Sequence, residues 1–353
     1  MLHKLETALT MIVLFGILIF VHELGHFLAA KLFKFKVYEF AFGLPFGKKW
    51  RYWHDGETEY TIRAVLLGGF VGFAEAEADE ETREAQMAFF NAKPIWQRFL
   101  VILAGPLASL LLGWLAFVVL VASSGVEVAP KIKVEPNTPA YTAGLRTGDV
   151  VTKLNDAPVE TISSFKEGVA ASDGKPIQVA YERGGMTQTL EVIPKASDDK
   201  GAKVYRIGVG LEARTRPAQA SEILTEANRQ TSDFFKGLRA IVSSGKKLKE
   251  NVGGPIAIAG AVAEVVKLDW SARMAMLLMM AGQLSLSLYA ANLFIPIPVF
   301  DGGQIVLLLI EAIRRRQLSK EQQMVVALGG WALVLLLFVS IGLNDILKLL
   351  GRG

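Results

Sequence analysis

The chain has 353 residues, 52% of them hydrophobic and only 20% charged, a balance that excludes an ordinary soluble enzyme of this size. The formal net charge of +4 is too small to call for a nucleic-acid partner, and with no cysteine there is no disulfide or thiolate metal site to consider. What remains is a membrane protein, with lipid as its first partner.

Four apolar runs approach the ~20 residues that a helix needs to cross the hydrocarbon core: roughly Ala8 to Leu32, Phe99 to Ala122, Ala272 to Ile297 and Met324 to Leu347. The first is too long for a removable signal peptide, follows the mixed-charge MLHKLE and has no small-residue cleavage pattern, so it is expected to stay. Inside it stands FVHELGH, Phe20 to His26, where ionisable groups are costly and mark function by default. HExxH on a helix puts His22 and His26 on one face, where both imidazoles reach one metal ion, with Glu23 beside them to meet a water on that ion. Catalytic zinc takes a third protein ligand, and His3 and His54 have no useful spacing to supply it.

Lys31, Lys34 and Lys36 follow the first span, and Arg314, Arg315, Arg316 and Lys320 lie between the third and fourth. Both clusters are expected on the cytoplasmic side, with both termini and the long segment from about Ser123 to Trp270 outside. His22 then lies toward the cytoplasmic side of the membrane.

Between the first two spans, ETEYTIRAVLLGGFVGF reads as short strands turning at Gly68 and Gly69, apolar enough to dip into the membrane. The acidic EAEADEETREAQ after it reads as a linker. From Ala129 to Ala213 short β-rich runs (KIKV, VVTKL, IQVAYER, TQTLEVIP, VYRIGVGL) alternate with Gly, Pro and Asp, enough for one small domain. Within it, EPNTPAYTAGLRTGDVVTKLNDAPV resembles the PDZ pattern. Thr231 to Lys249 is amphipathic and is expected either on the membrane surface or against the outer domain. ANLFIPIPVFDGG, Ala291 to Gly303, then offers Asp301 on the same side of the membrane as His22; its prolines break the helix, although a DGG read alone is a turn.

FVHELGHFLAAKLF, YTIRAVLLGGFV, LAGPLASLLLG, a single PDZ-like domain, NVGGPIAIAG and NLFIPIPVFDGG together resemble the site-2 proteases. These are bacterial intramembrane zinc metalloproteases that cleave membrane-bound anti-sigma factors and signal-peptide remnants. The resemblance implies Zn2+ on His22, His26 and Asp301, Glu23 as catalytic base, a membrane-reentrant β-hairpin around Tyr60 to Phe73, and an extracytoplasmic PDZ domain that screens substrates. The sequence departs from the family in one residue added before Pro296, in Phe300 where Leu is usual, and in Ser109 where Asn is frequent.

The expected fold is a polytopic α-helical membrane protein of about four transmembrane helices with a reentrant β-hairpin and an inserted α+β PDZ-like domain. Its parts are an N-terminal membrane half (1–124), the PDZ-like domain (125–215), an amphipathic linker (216–270) and a C-terminal membrane half (271–353). The expected activity is zinc-dependent cleavage of single-pass membrane proteins in a bacterial inner membrane. Asn292 would hold the substrate backbone or the developing oxyanion, and Pro296 and Pro298 would shape the substrate site. The strands at Gly68 and Gly69 would pair with an unwound substrate segment. A non-proteolytic PDZ scaffold with a structural metal is the alternative, and the intact Glu23 argues against it. A metal transporter ranks below both, because the second and fourth spans lack acidic or histidine residues until Asp345.

Overall fold

The computed structural model describes residues 2–43, 48–64, 68–73, 90–199, 202–244 and 254–349. The acidic 75–86 segment and the end of the amphipathic 231–249 segment lie outside them. Two compact units result, one from Met1–Leu120 with Ala227–Gly353, the other from Val121–Glu226.

In the first unit, α1 (Leu2–Leu32) and α2 (Ile95–Ser124) precede the insertion. After it come α5 (Ala220–Ser244), α6 (Pro255–Val265), α7 (Trp270–Phe294), α8 (Asp301–Arg314) and α9 (Lys320–Leu349). Among the described residues three helices are long and apolar enough to cross a membrane, His3–Leu32, Ile95–Ser124 and Trp270–Phe294. The run expected as a fourth span is helical in α9. Helix α1 is apolar on every side: Leu14 and Leu18 are buried while Leu9, Val13 and Ile17 are exposed, the pattern of a helix that faces protein on one side and lipid on the other.

Between α1 and α2 lies a four-stranded sheet of β1 (Val37–Phe42), β2 (Lys49–His54), β3 (Glu59–Arg63) and β4 (Gly69–Phe73), in the order β2-β3-β1-β4. The hairpin expected around Tyr60 to Phe73 does not form, because its two strands flank β1, which runs parallel to β3 and antiparallel to β4. Side chains give the reason. Phe35 and Val37 pack with Ala30 of α1 and Val101 of α2, so β1 is anchored to the helices. Its Glu39, 2% exposed, then accepts hydrogen bonds from Arg63 Nη2 (2.7 Å) and Thr61 Oγ1 (2.5 Å) of β3. A buried carboxylate needs such donors, and β3 supplies them only from beside β1.

Part of the apolar face of α5 packs within the first unit. Phe234 and Phe235 pack against the cluster of Phe117 and Leu120 from α2 and Leu286 from α7, and Trp114 Nε1 donates to Asn228 Oδ1 at 2.8 Å. Helix α7 begins at an Asp269 cap that accepts from the Ser271 and Ala272 amides. It ends at Phe294, where Pro296 bars further helix and disfavours helical backbone at Ile295.

The second unit contains a sheet in the order β12-β5-β6-β8-β9, with β7 (Ala157–Pro158) paired to β6. Its strands are β5 (Val126–Val134), β6 (Val150–Leu154), β8 (Ile177–Arg183), β9 (Met186–Val192) and β12 (Val209–Arg216). The expected strand VYRIGVGL is divided between β11 (Ala202–Arg206), which pairs with β10 (Lys195–Asp199), and β12, the chain turning at Gly208 with φ +78°. Helix α3 (Pro139–Ala143) starts at Thr138 and stops at a left-handed Gly144; α4 (Ile162–Ala171) opens with a Thr161/Ser164 capping box. Ile132, Leu145, Val151, Phe165, Ile177 and Val179 form the core. Asp149, 2% exposed, is held by Arg183 through Nε and Nη2, each at 2.7 Å.

Candidate metal centre

His22 and His26, four residues apart on α1, are both buried, and their Nε2 atoms lie 3.3 Å from one another. Asp301, the first residue of α8, brings Oδ2 to 3.1 Å from His22 Nε2 and Oδ1 to 3.4 Å from His26 Nε2. Among the described residues this is the one group of three His, Cys, Asp or Glu side chains whose ligand atoms all fall within 4.8 Å of one another.

Glycines make the approach of Asp301 possible. A Cβ at Gly302 would stand 2.3 Å from the Leu293 carbonyl oxygen, and one at Gly303 2.1 Å from that of Ile297. The DGG is therefore more than a turn. It lets the start of α8 fold tightly onto the broken end of α7, which fixes where the carboxylate points.

Helix α2 supplies the bed beneath the histidines. The Val101 carbonyl lies 2.8 Å from His26 Nδ1, and Ser109 Oγ lies 3.0 Å from His22 Nδ1. A Cβ at Gly105 would stand 2.1 Å from His26 Nε2, so the imidazole packs directly on the α2 backbone. Gly25 is equally confined, with the Ala104 carbonyl oxygen 2.4 Å from where its Cβ would be. Small residues on both helices thus bring α1 and α2 together.

These contacts test whether a cation fits. A carbonyl only accepts, so His26 Nδ1 carries the proton, which leaves Nε2 as the atom that can offer a lone pair to a cation. That lone pair faces another imidazole nitrogen and a carboxylate, and Asp301 Oδ2 is buried without a hydrogen bond. Two imidazole nitrogens and one carboxylate converging on one point make the donor set of a divalent cation, and zinc suits it.

The sequence pattern of peptidase family M50 matches residues 10–337. The chain belongs to this family of site-2 proteases.

A provisionally named zinc metalloprotease of Clostridium perfringens is 32% identical to this M50 peptidase over 339 residues, 94% of this chain and 96% of its own. One of Nostoc sp., also provisionally named, is 33% identical over 349 residues, 93% of each chain. Zinc metalloprotease RasP of Geobacillus kaustophilus is 28% identical over a gapped alignment of 431 positions that covers 99% of each chain. Among solved structures, the PDZ domain of an SdrC-like protein from Listeria monocytogenes is 24% identical over 25% of this chain and 87% of its own, at a TM-score of 0.20. The chain is a zinc metalloendopeptidase and a membrane protein.

In this M50 peptidase the other residues singled out from sequence stand as follows. Glu23 lies against the start of β4, where a Cβ at Gly69 would sit 2.9 Å from Glu23 Cγ and 3.2 Å from the Ala41 carbonyl oxygen. The Gly68 carbonyl accepts from the Gly43 amide at 2.7 Å, closing β4 onto the end of β1. Asn292 donates Nδ2 to the Leu288 carbonyl of its own helix at 3.1 Å. Pro296 is exposed in the break, and Pro298 lies beside Gly303 and accepts from Gln304 Nε2 at 2.5 Å. His3 sits 3.6 Å from Glu6, and His54 accepts from the Gly56 amide, so neither joins the cluster. Sequence reading passed over Gly105 and Val101 as parts of the site and noted Ser109 only as a departure from the family. The signal for them was the small residues of LAGPLAS spaced four apart, Ala104 with Ala108 and Gly105 with Ser109.

Proposed function

We propose that the chain cleaves transmembrane segments of single-pass membrane proteins in regulated intramembrane proteolysis, with His22, His26 and Asp301 as zinc ligands and Glu23 as the catalytic base. The observation that carries this reading is the convergence of the two Nε2 atoms and the Asp301 carboxylate within 4.8 Å, on a helix long and apolar enough to span a membrane. Zinc, when bound, polarises the scissile carbonyl and lowers the pKa of water. Glu23 takes the proton of the attacking water and returns it to the leaving amine. The α1–α2 bed holds both imidazoles rigid, so no reorganisation is required at the moment of attack.

Strand β4 supports a way of holding substrate. It is an edge strand, and its first residue, Gly69, abuts Glu23. An unwound substrate segment adding to this edge would present its backbone to Glu23 with little demand on its side chains. Pro296 and Pro298 shape the broken helix before Asp301. Asn292 spends one amide proton on its own helix and retains Oδ1 and a second proton for substrate.

On the same reading α9 completes four spans in a bacterial inner membrane, the basic clusters put the metal centre toward the cytoplasm, and the inserted unit is an extracytoplasmic PDZ-like domain. That domain screens trimmed substrates such as anti-sigma factors or signal-peptide remnants. The deciding experiment compares zinc content and cleavage of a model transmembrane substrate in wild type and Glu23→Gln. The variant should keep zinc and lose about 10²-fold or more of the activity, since glutamine keeps the shape but takes no proton. Cleavage at the wild-type rate would end the assignment of Glu23, and zinc retained in Asp301→Ala would end that of the third ligand.

A further inference from the structure

We propose that Ser109 is a positioning residue: by accepting the Nδ1 proton of His22 it fixes which imidazole nitrogen faces Asp301, and so sets the metal affinity of the centre. The inference rests on the reading of His22 as a ligand and extends it to α2.

The two histidines are propped by different groups. His26 Nδ1 meets a backbone carbonyl, that of Val101, which every residue type would provide. His22 Nδ1 meets a side-chain hydroxyl, that of Ser109, which a single substitution removes. Val101, Gly105 and Ser109 are four apart and form one stripe of α2 beneath both rings. Ser109 is fully buried, so no solvent water stands ready to replace its hydroxyl. Ser285 of α7, also fully buried, donates Oγ to the Ser109 carbonyl at 2.7 Å and does not touch the hydroxyl.

The chemistry follows from the tautomer. A hydroxyl both donates and accepts, and the choice at His22 is made at the opposite nitrogen. When Nε2 must offer a lone pair to a cation, Nδ1 must hold the proton, and Ser109 Oγ is the acceptor waiting for it. Without that acceptor a buried N–H goes unsatisfied in the ligating tautomer alone, so the loss falls on metal binding rather than on the metal-free fold.

The test uses the purified full chain, with zinc affinity measured by chelator competition and geometry read from the visible spectrum of the Co2+-loaded protein. Ser109→Ala is expected to weaken zinc binding about 10- to 100-fold and to shift the Co2+ bands. Ser285→Ala deletes a buried hydrogen bond to the same residue's carbonyl without touching the imidazole, and is expected to keep zinc affinity and spectrum. Wild-type affinity and an unshifted spectrum in Ser109→Ala would overturn the proposal, and so would an equal loss in Ser285→Ala, which would reduce both to helix packing. His22→Ala separates this inference from the reading beneath it. If that variant loses zinc while Ser109→Ala does not, only the role of Ser109 fails; if it keeps zinc, the ligand assignment fails.

Discussion

Replacing Gly105 by Ala adds one methyl group, and the structure says where it must go. The new Cβ would stand 2.1 Å from His26 Nε2, 2.4 Å from Cε1 and 2.7 Å from Cδ2. Carbon contacts settle near ~3.5 Å, so the ring or the helix must give way by more than ~1 Å. The ring has little freedom, because its Nδ1 is bonded to the Val101 carbonyl one turn away on the same helix. Zinc–nitrogen distances tolerate only about ±0.2 Å, so the displacement exceeds what the centre absorbs. The expected result is zinc affinity lowered at least ~10-fold and cleavage lowered ~10²-fold or more, beside an overpacking cost of ~1–3 kcal/mol. Chelator competition, a cleavage assay and thermal unfolding of the metal-free protein measure the three separately. Gly260→Ala is the control, since nothing lies within 4 Å of its Cβ position and helix propensity alone favours alanine. A Gly105→Ala protein that binds zinc and cleaves as wild type does would refute the packing of His26 on α2.

Gly303→Ala should also release zinc, because its Cβ would meet the Ile297 carbonyl oxygen at 2.1 Å and push the start of α8 away from the histidines; zinc content after dialysis checks it. Arg98 and Glu311, both buried, pair at 2.9 Å between α2 and α8. Arg98→Met alone should cost ~3–5 kcal/mol by stranding the carboxylate, whereas Arg98→Met with Glu311→Met should recover most of that in a denaturant titration. In the second unit burial disfavours the charged Asp149, but the bonds from Arg183 and the Arg146 amide outweigh it and hold its carboxyl below the usual range. Its contribution is therefore complete above the unfolded value of ~3.9 and lost as pH falls through the lower folded value. The protection of the β6 and β8 amides in the full chain, measured relative to intrinsic exchange at each pH, should fall across that acid window, and Arg183→Met should shrink that fall.

The helices long and apolar enough to cross a membrane were legible because about twenty apolar residues in a row have few other uses, and HExxH because its spacing is local. What escaped sequence reading is held by contacts between distant residues. VYEFAF carries Glu39 among apolar neighbours and gives no sign that it will sit centrally in a sheet, since its partners Thr61 and Arg63 lie beyond another strand. The interruption of VYRIGVGL depends on one backbone angle at Gly208. Gly302 and Gly303 resemble any turn until the Leu293 and Ile297 carbonyls they face are in place. The amphipathic face of α5 was visible, but hydrophobicity alone does not name the surface that will cover it.

The proposed donor set is divided between the two ends of the chain, His22 and His26 near the start and Asp301 past the inserted unit and α7. Ribosomal synthesis delivers these in order. A partly made chain holds two imidazoles against α2 but no carboxylate, and the bond from Ser285 to the Ser109 carbonyl, which joins α7 to that same bed, is missing as well. Hydrolytic competence thus arrives late in the life of the nascent polypeptide. Until α8 is made, the α1–α2 pair lacks the carboxylate of the proposed donor set.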